Sequence, residues 1–486
     1  MNKHLKIVCV LTFLVIDVSA QSLKLSLSDV IEMAKEQSPS AKIEETRKET
    51  RYWSFRQFKS NYNPGLYLLG DLPGYNRDFN ENRLDNGEIV YQPREQLSSS
   101  LSLGLQQPIA ATGGTVSINS TVNQFRDLTF DSRRYNNTLF NIRLNQPIFG
   151  FNELKWDKQT EPLRYEESKR SYVEEMEAIS QRATELYFDY LTAQIDLQIA
   201  KYNLANNDTI YNIQQGRYNI GTSSRDELLQ VELQLLTSRQ GVTQASLDMK
   251  TTKLRLTSYI GLQGGANSEL ELLSPQELPE FDIPLEQAII YAKQNRADYI
   301  AFERNKLEAK REVDRAKSQR FQTNLNASFG LNKAGTSFSN SYSDPNDQQR
   351  VNVSLYVPIL DWGRSKSRVQ IALAQQQLSE YTLAQGIQNF EQEIITNVSR
   401  FEVLRAQVEI AKKSDEVAQE RYDVTQNRYL IGKNDITNLN IALKEKDEKK
   451  RSYLSALRAF WTAYFDLRRL TLYDFLNKEL LYQIED

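Results

Sequence analysis

The chain is poor in the residues that do covalent and metal chemistry, with one cysteine, Cys9, and one histidine, His4, in 486 residues. Both fall in a stretch that reads as a secretory signal. Lys3 and Lys6 give it a positive start, Ile7 to Ile16 form its apolar run, and Val18-Ser19-Ala20 supply small residues for cleavage before Gln21. Cys9 is followed by Val10 and Leu11 with no cleavage site ahead of it, so it does not read as a lipid-attachment cysteine. The exported chain is therefore expected to hold neither residue. That excludes a thiolate nucleophile, an imidazole base, a disulfide and the usual zinc or copper ligands. There is also no Walker or dinucleotide glycine motif and no Asp-rich calcium loop, so no enzymatic activity, cofactor or metal is expected.

Other absences constrain the architecture. A formal net charge of −3 offers no global field to nucleic acid. No segment after the signal approaches the ~20 apolar residues of a membrane helix. If the chain enters a membrane it must do so as strands closed into a barrel, because lipid leaves unpaired backbone groups unsatisfied. Glycine and proline number 19 and 12, sparse for this length, and Gln, Glu, Lys, Leu and Ala dominate long stretches in the manner of extended or coiled helices.

What is present is a plan written twice. Leu25 to Lys48 is answered by Ile283 to Arg311, each a strand-like lead into an amphipathic helix. Arg143 to Gly150 is answered by Ser354 to Gly363, where a strand meets Pro147 or Pro358 and a long helix follows. Arg217-Tyr218-Asn219-Ile220-Gly221-Thr222 is answered by Arg428-Tyr429-Leu430-Ile431-Gly432-Lys433. Pro358 follows Pro147 by 211 residues, and Gly432 follows Gly221 by the same 211. The first echo is offset by about 258, which places an insertion of roughly 47 residues between Asn61 and Gln146. The expected divisions are a cleaved signal at 1–20, a first repeat at 21–263 with the insertion within about 62–137, a connector at 264–284, a second repeat at 285–470 and a tail at 471–486.

The helical segments carry seven-residue stripes: Tyr172, Met176, Ile179, Ala183, Leu186 and Tyr190 lead up, and Leu228, Val231 and Leu235 lead back. Phe390, Ile394, Phe401, Leu404 and Val408 repeat the ascent, and Ile436, Leu439, Leu443, Leu457 and Phe460 the return, with gaps at Lys446 and Lys450. Arms of about 40 to 55 residues are expected, too long to stand without a neighbour. Gly221 and Gly432 mark the reversals. Between the helices the period changes to two. Leu101, Leu103 and Leu105 alternate with Ser102, Gly104 and Gln106, and Phe140, Ile142 and Leu144 with Asn141, Arg143 and Asn145. Leu325, Ala327 and Phe329 alternate with Asn326 and Ser328, and Val351, Val353 and Leu355 with Asn352 and Ser354. Such strands suit lipid on one face and water on the other, although singly each also fits a soluble sheet with one buried face. Asp71 to Asn86 and Ser339 to Asp347 read as loops.

These duplicated junctions and reversals resemble the TolC-like outer-membrane efflux protein family over about Leu25 to Leu470. The resemblance implies a mostly α fold with β, in a duplicated helix-strand-strand-helix plan. Long antiparallel coiled coils would form an α-barrel beneath a trimeric transmembrane β-barrel of twelve strands. It implies an outer-membrane conduit of a tripartite efflux or secretion system, with partners of three kinds: further copies of itself, a periplasmic adaptor, and an inner-membrane pump of RND or ABC type. Adaptor-docking tips map to Asn219, Ile220, Gly221 and Thr222 and to Leu430, Ile431, Gly432 and Lys433. Family members close their entrance with an acidic residue, a tyrosine and an arginine. Glu227 and Tyr429 match the first two, whereas Asn434 stands where arginine is expected. The paired aspartates of some members fall on Asn438 and Ile441, leaving Asp226, Asp435 and Lys433 to carry charge near the entrance. An extra hairpin, Leu97 to Gln106 and Thr115 to Val122 around Ala111-Thr112-Gly113-Gly114, departs from the plan. The competing readings are an exported, soluble coiled-coil adaptor or spacer, and a carboxylate hydrolase for which no paired acids are evident.

Overall fold

The computed structural model describes residues 23–262, 270–275 and 278–482, so the expected signal at 1–20 lies outside the described residues. In chain order the elements are β1 (Leu23–Leu25), α1 (Leu27–Gln37), α2 (Pro39–Ser60), β2 (Gly65–Arg83), β3 (Ile89–Ile109), β4 (Gly114–Asp127), β5 (Ser132–Pro147), α3 (Glu153–Asn219) and α4 (Arg225–Tyr259). They continue with β6 (Leu270–Leu272), α5 (Leu285–Asn295), α6 (Ala297–Ser318), β7 (Gln322–Gly335), β8 (Asn346–Tyr356), α7 (Arg364–Leu430), α8 (Ile436–Thr471), β9 (Tyr473–Asp474) and β10 (Glu479–Leu480). The duplication shows in the element boundaries. α7 begins 211 residues after α3 and α8 begins 211 after α4, whereas α5 and α6 begin 258 after α1 and α2. The difference falls between α2 and α3, where four strands stand against the two between α6 and α7.

The chain divides into two compact units. One comprises the described parts of Met1–Arg47, Ser171–Arg296 and Glu391–Asp486. Here the seven-residue stripes are the core: Ile179, Leu186, Tyr190, Val231, Leu235, Ile394, Phe401, Leu439, Leu457 and Phe460 are buried. Lys446 does not interrupt its stripe. Its stem is buried and its ammonium lies 4.5 Å from the Tyr422 ring centre and 5.0 Å from that of Tyr202, so a cation fills a seam position against two π faces. α1 starts on a capping box, in which the Ser26 hydroxyl accepts from the Asp29 N–H and the Asp29 carboxylate accepts from the Ser26 N–H at 2.8 Å. β1 pairs in parallel with β6. The strand partner in this region is thus Leu270–Leu272, within the stretch read as a connector, and not the residues around Ile283, where Pro284 directly precedes a helix. A buried ionic cluster ties α8 to the end of the chain. Arg468 meets Glu177 and Asp474, each at 2.8 Å, the Tyr464 hydroxyl donates to Asp474 at 2.7 Å, and Lys35 reaches Glu177 at 2.6 Å.

The other unit comprises Lys48–Arg170 and Ala297–Phe390. Its antiparallel sheet has the order β2-β3-β4-β5-β7-β8, leaving β2 and β8 as edges. Six strands are two more than the four per chain that twelve strands among three copies require. The expected loop at Asp71 to Asn86 is mostly strand. β2 runs through it and the turn is confined to the residues between Arg83 and Ile89. Pro73 is accommodated because the ladder slips between Asp71 and Gly74, and a bulged edge strand does not need every N–H. α3 and α7 are also longer than expected, 67 residues each, while α4 and α8 have 35 and 36. The first turns of α3 carry no apolar stripe. Ion pairs hold them, with Arg304 to Glu167 at 2.6 Å, Arg164 to Glu308 at 2.6 Å and Arg311 to Asp157 at 2.9 Å.

Candidate functional site

The two reversals have one geometry. Gly221 and Gly432 sit at φ +81° and +77°, the left-handed conformation that glycine adopts without a Cβ penalty. After each, the next N–H reaches back to the helix: Thr222 to the Arg217 carbonyl and Lys433 to the Arg428 carbonyl, both at 2.9 Å. This is the closing bond of a Schellman cap. The following helices are capped by different chemistry. Ser224 and Glu227 form a capping box on α4, and the Asp435 carboxylate accepts from the Asn438 N–H at 2.7 Å on α8. Asp226 is exposed in the first turn of α4, and Asn434 is half-buried beside its cap. A Cβ on either glycine would meet nothing within 4 Å beyond the adjoining residues, and Ile220, Leu430 and Ile431 are exposed around them.

Behind the tips, the structure brings Glu227 and Tyr429 to a common partner that the sequence did not single out. Gln214 donates to Glu227 at 3.2 Å and also to the Ser223 hydroxyl, while its carbonyl oxygen accepts from Tyr429 at 3.5 Å. The arginine beside Tyr429 is Arg217, whose guanidinium carbon lies 5.6 Å from the centre of the ring. The Ser223 hydroxyl and the Ser224 N–H hold the Glu227 carboxyl below its usual range, and Arg217 adds to that. Burial among Ile210, Val231, Ile436 and Leu439 raises the Tyr429 phenol. The Asp435 side chain is occupied with capping through the Asn438 N–H, and Asn438 and Ile441 are exposed. One turn system deeper, Asn206 donates to the Tyr422 hydroxyl at 2.9 Å, and Asn203 donates to Asp447 at 2.7 Å. Arg217 could have been found from its own motif, since Arg428 repeats it 211 residues on; Gln214 has no such echo.

The sheet has two chemically distinct faces. In register across five strands, Leu66, Leu105, Ile118, Ile142 and Phe329 form an apolar row, and all five are exposed. The opposite face carries Gln106, Ser117, Arg143, Ser328 and Arg350 in one row. On β3 Leu97, Leu101, Leu103 and Leu105 share the apolar face with Ser99, between Glu95 and Gln107, a span comparable with the ~9–11 residues that cross lipid in a tilted strand. Pro147 ends β5, and Pro358 follows β8. Beyond them Ile148, Phe149, Ile359, Leu360 and Trp362 are all exposed, Ile359 almost completely.

The sequence matches the outer membrane efflux protein family over residues 75–262 and 290–471. The chain belongs to that family. The first matched block begins within β2 and ends just after α4, and the second begins within α5 and ends with α8. A comparison with curated proteins found no match. Among solved structures it is similar to the Campylobacter jejuni CmeC outer membrane channel, with TM-score 0.68 and 14% identity, covering 95% of this chain and 87% of that one. It is also similar to the Vibrio cholerae outer membrane protein VceC, with TM-score 0.64 and 14% identity over 92% and 95%, and to a Pseudomonas aeruginosa membrane protein, with TM-score 0.66 and 14% identity over 93% and 91%. These likenesses show the efflux-protein fold, with its helical and strand portions. No described helix is long and apolar enough to cross a membrane.

Proposed function

We propose that this efflux-family chain is the passive exit duct of a tripartite export system. Three copies join their sheets into a barrel in the outer membrane, and their helices form a periplasmic tunnel that is closed at the reversals. The observation that carries the reading is the in-register sheet with one exposed apolar face and one polar face. A soluble sheet would cover that apolar row. The chain performs no chemistry on its cargo. It supplies a wet wall of serine, asparagine and arginine side chains, and an inner-membrane pump supplies the work.

The entrance is held by the cluster of Arg217, Tyr429, Gln214 and Glu227, with Asp226, Asp435 and Lys433 setting the charge around it. An adaptor docks on Asn219 to Thr222 and on Leu430 to Lys433, where open glycines and exposed Ile220 and Ile431 leave room for another protein's tip. Docking opens the duct by favouring the state in which these contacts are broken, a bias of a few kcal/mol. Pro147 and Pro358 turn each sheet strand into its helix. The signal at 1–20, the repeats at 21–263 and 285–470, the connector at 264–284 and the tail at 471–486 remain the working divisions. The test is to express the full chain with its signal, fractionate the envelope and reconstitute the exported product in a planar bilayer. Outer-membrane trimers that need detergent and conduct ions are expected. A monodisperse, water-soluble chain without conductance would favour a soluble periplasmic adaptor instead.

A further inference from the structure

We propose that the inserted hairpin β3–β4 is a full part of the barrel wall, so that three copies close an eighteen-stranded barrel by joining β8 of one copy to β2 of the next. This rests on the channel reading above and gives it a width.

Four observations support it. First, β2 and β5 do not pair with one another, because β3 and β4 lie between them in long ladders, interrupted only by the slip at Asp71–Gly74 and the bulge between Asn119 and Thr121. Gly65 pairs Gln106 and Arg83 pairs Ile89 on one side, and Gln96 pairs Asp127 and Ile109 pairs Gly114 on the next. Lifting the hairpin out of the sheet would strip both neighbours of partners at a depth where lipid offers none. Second, the hairpin continues both faces of the strands around it. Leu105 and Ile118 stand in the apolar row with Ile142 and Phe329, and Gly104 and Asn119 stand in the polar row with Asn141 and Gly330. A plug or an external flap would not need that alternation. Third, β2 is fitted to β3 by shape. The Tyr67 ring lies over its register partner Gly104 and occupies the space a Cβ would take there. Fourth, six strands alternate in direction, so the edges β2 and β8 run antiparallel to one another and can pair between copies. Every multiple of six then closes with an even count.

The consequence is a wider exit. At ~4.8 Å between strands and a tilt of ~40°, eighteen strands close at a diameter of about 36 Å, against about 24 Å for twelve. The added wall is lined by Ser98, Ser100, Ser102, Asn119, Thr121 and Asn123, so the widening presents hydroxyl and amide groups. Such a lining suits bulky, hydrated cargo better than a narrow charged filter would.

The test uses single cysteines on a Cys9→Ser background in the full chain, each carrying a spin label in reconstituted trimers. Labels at Leu103 and Val122 report the hairpin's apolar face, those at Ser102 and Asn119 its polar face, and those at Ile142 and Phe329 the sheet outside the insertion. The expected result is that Leu103 and Val122 match Ile142 and Phe329 in accessibility to lipid-dissolved oxygen, while Ser102 and Asn119 are reached by an aqueous nickel chelate. Cysteine pairs between β2 and β8 should also cross-link separate copies. If Ile142 and Phe329 lie in lipid but Leu103 and Val122 see water, or if cysteines in β2 and β5 form a disulfide within one copy, the wide barrel is overturned and the channel stands. If Ile142 and Phe329 also miss the lipid, the channel reading itself fails, and the wide barrel with it.

Discussion

Arg217 stacks on Tyr429, its guanidinium carbon 5.6 Å from the ring centre, and so couples the end of α3 in the first repeat to the end of α7 in the second. In the proposed duct this contact belongs to the closed entrance. A cation–π contact in a partly exposed place contributes about 0.5–1 kcal/mol, so Arg217→Ala should raise the open-to-closed ratio roughly two- to fivefold. Tyr429→Phe keeps the ring and loses only the 3.5 Å contact with Gln214, and should change the ratio less. Single-channel recording measures both. An unchanged open probability in Arg217→Ala would remove Arg217 from the gate.

Gly221 and Gly432 separate docking from folding. Their left-handed φ makes any L side chain cost about 1–2 kcal/mol, yet a Cβ at either would meet nothing within 4 Å beyond the adjoining residues, so the start of a bulky side chain has room in its own chain. Phe at both positions should leave trimers assembled on a native gel but abolish export. Ala at both should lower the unfolding midpoint slightly while keeping most of the export. Normal export by the double Phe variant would show that the adaptor does not seat there.

The duplication was readable because both repeats kept their ends: the Pro-Ile junctions and Tyr-x-Ile-Gly reversals sit at one spacing, and the helix boundaries obey it. The edge strand β2 was not readable. Its second half, with Asn76, Asp78, Asn80 and Asn82, has the composition of a loop, because a strand exposed on both faces needs no apolar alternation. The cluster behind the reversals was partly readable. Glu227 and Tyr429 could be picked from their place near the glycines and Arg217 from its echo at Arg428, but Gln214 meets Tyr429 only through the pairing of α3 with α7, and no local spacing encodes which residues face each other across 215 positions. Lys446 failed as a pattern for the opposite reason: a polar letter can occupy an apolar position when aromatic rings take up its charge.

Acid should loosen the end of the chain through Asp474. Burial alone would raise its carboxyl, but the Tyr464 hydroxyl, Arg468 and the N–H groups of Asn477 and Leu476 outweigh it and lower the pKa below the ordinary 3.8. A carboxyl lowered on folding stabilises the fold above its unfolded pKa, and that contribution disappears as the pH falls through the lowered value. The unfolding midpoint should therefore drop below about pH 4. Asp474→Asn should lower stability at neutral pH by about 3 kcal/mol, the lower end for a broken buried pair, because Glu177 still faces Arg468. It should also flatten the acid limb, and a variant with the wild-type acid profile would rule out Asp474 as its source.

The two faces of the sheet make opposite demands on the same substitution. Ile142 and Phe329 are register partners on the exposed apolar face, and Arg143 and Ser328 are partners one position along on the polar face. Lysine at Ile142 or Phe329 places a charge in the hydrocarbon at a cost of about 2–4 kcal/mol near the midplane, and should deplete the chain from the outer-membrane fraction. Lysine at Ser328 enters water beside Arg143, should assemble normally, and should shift the reversal potential in a salt gradient toward anion selectivity. Heat-modifiable migration of outer-membrane samples scores assembly, and bilayer recording scores selectivity. Equal tolerance of lysine on both faces would mean that neither faces lipid.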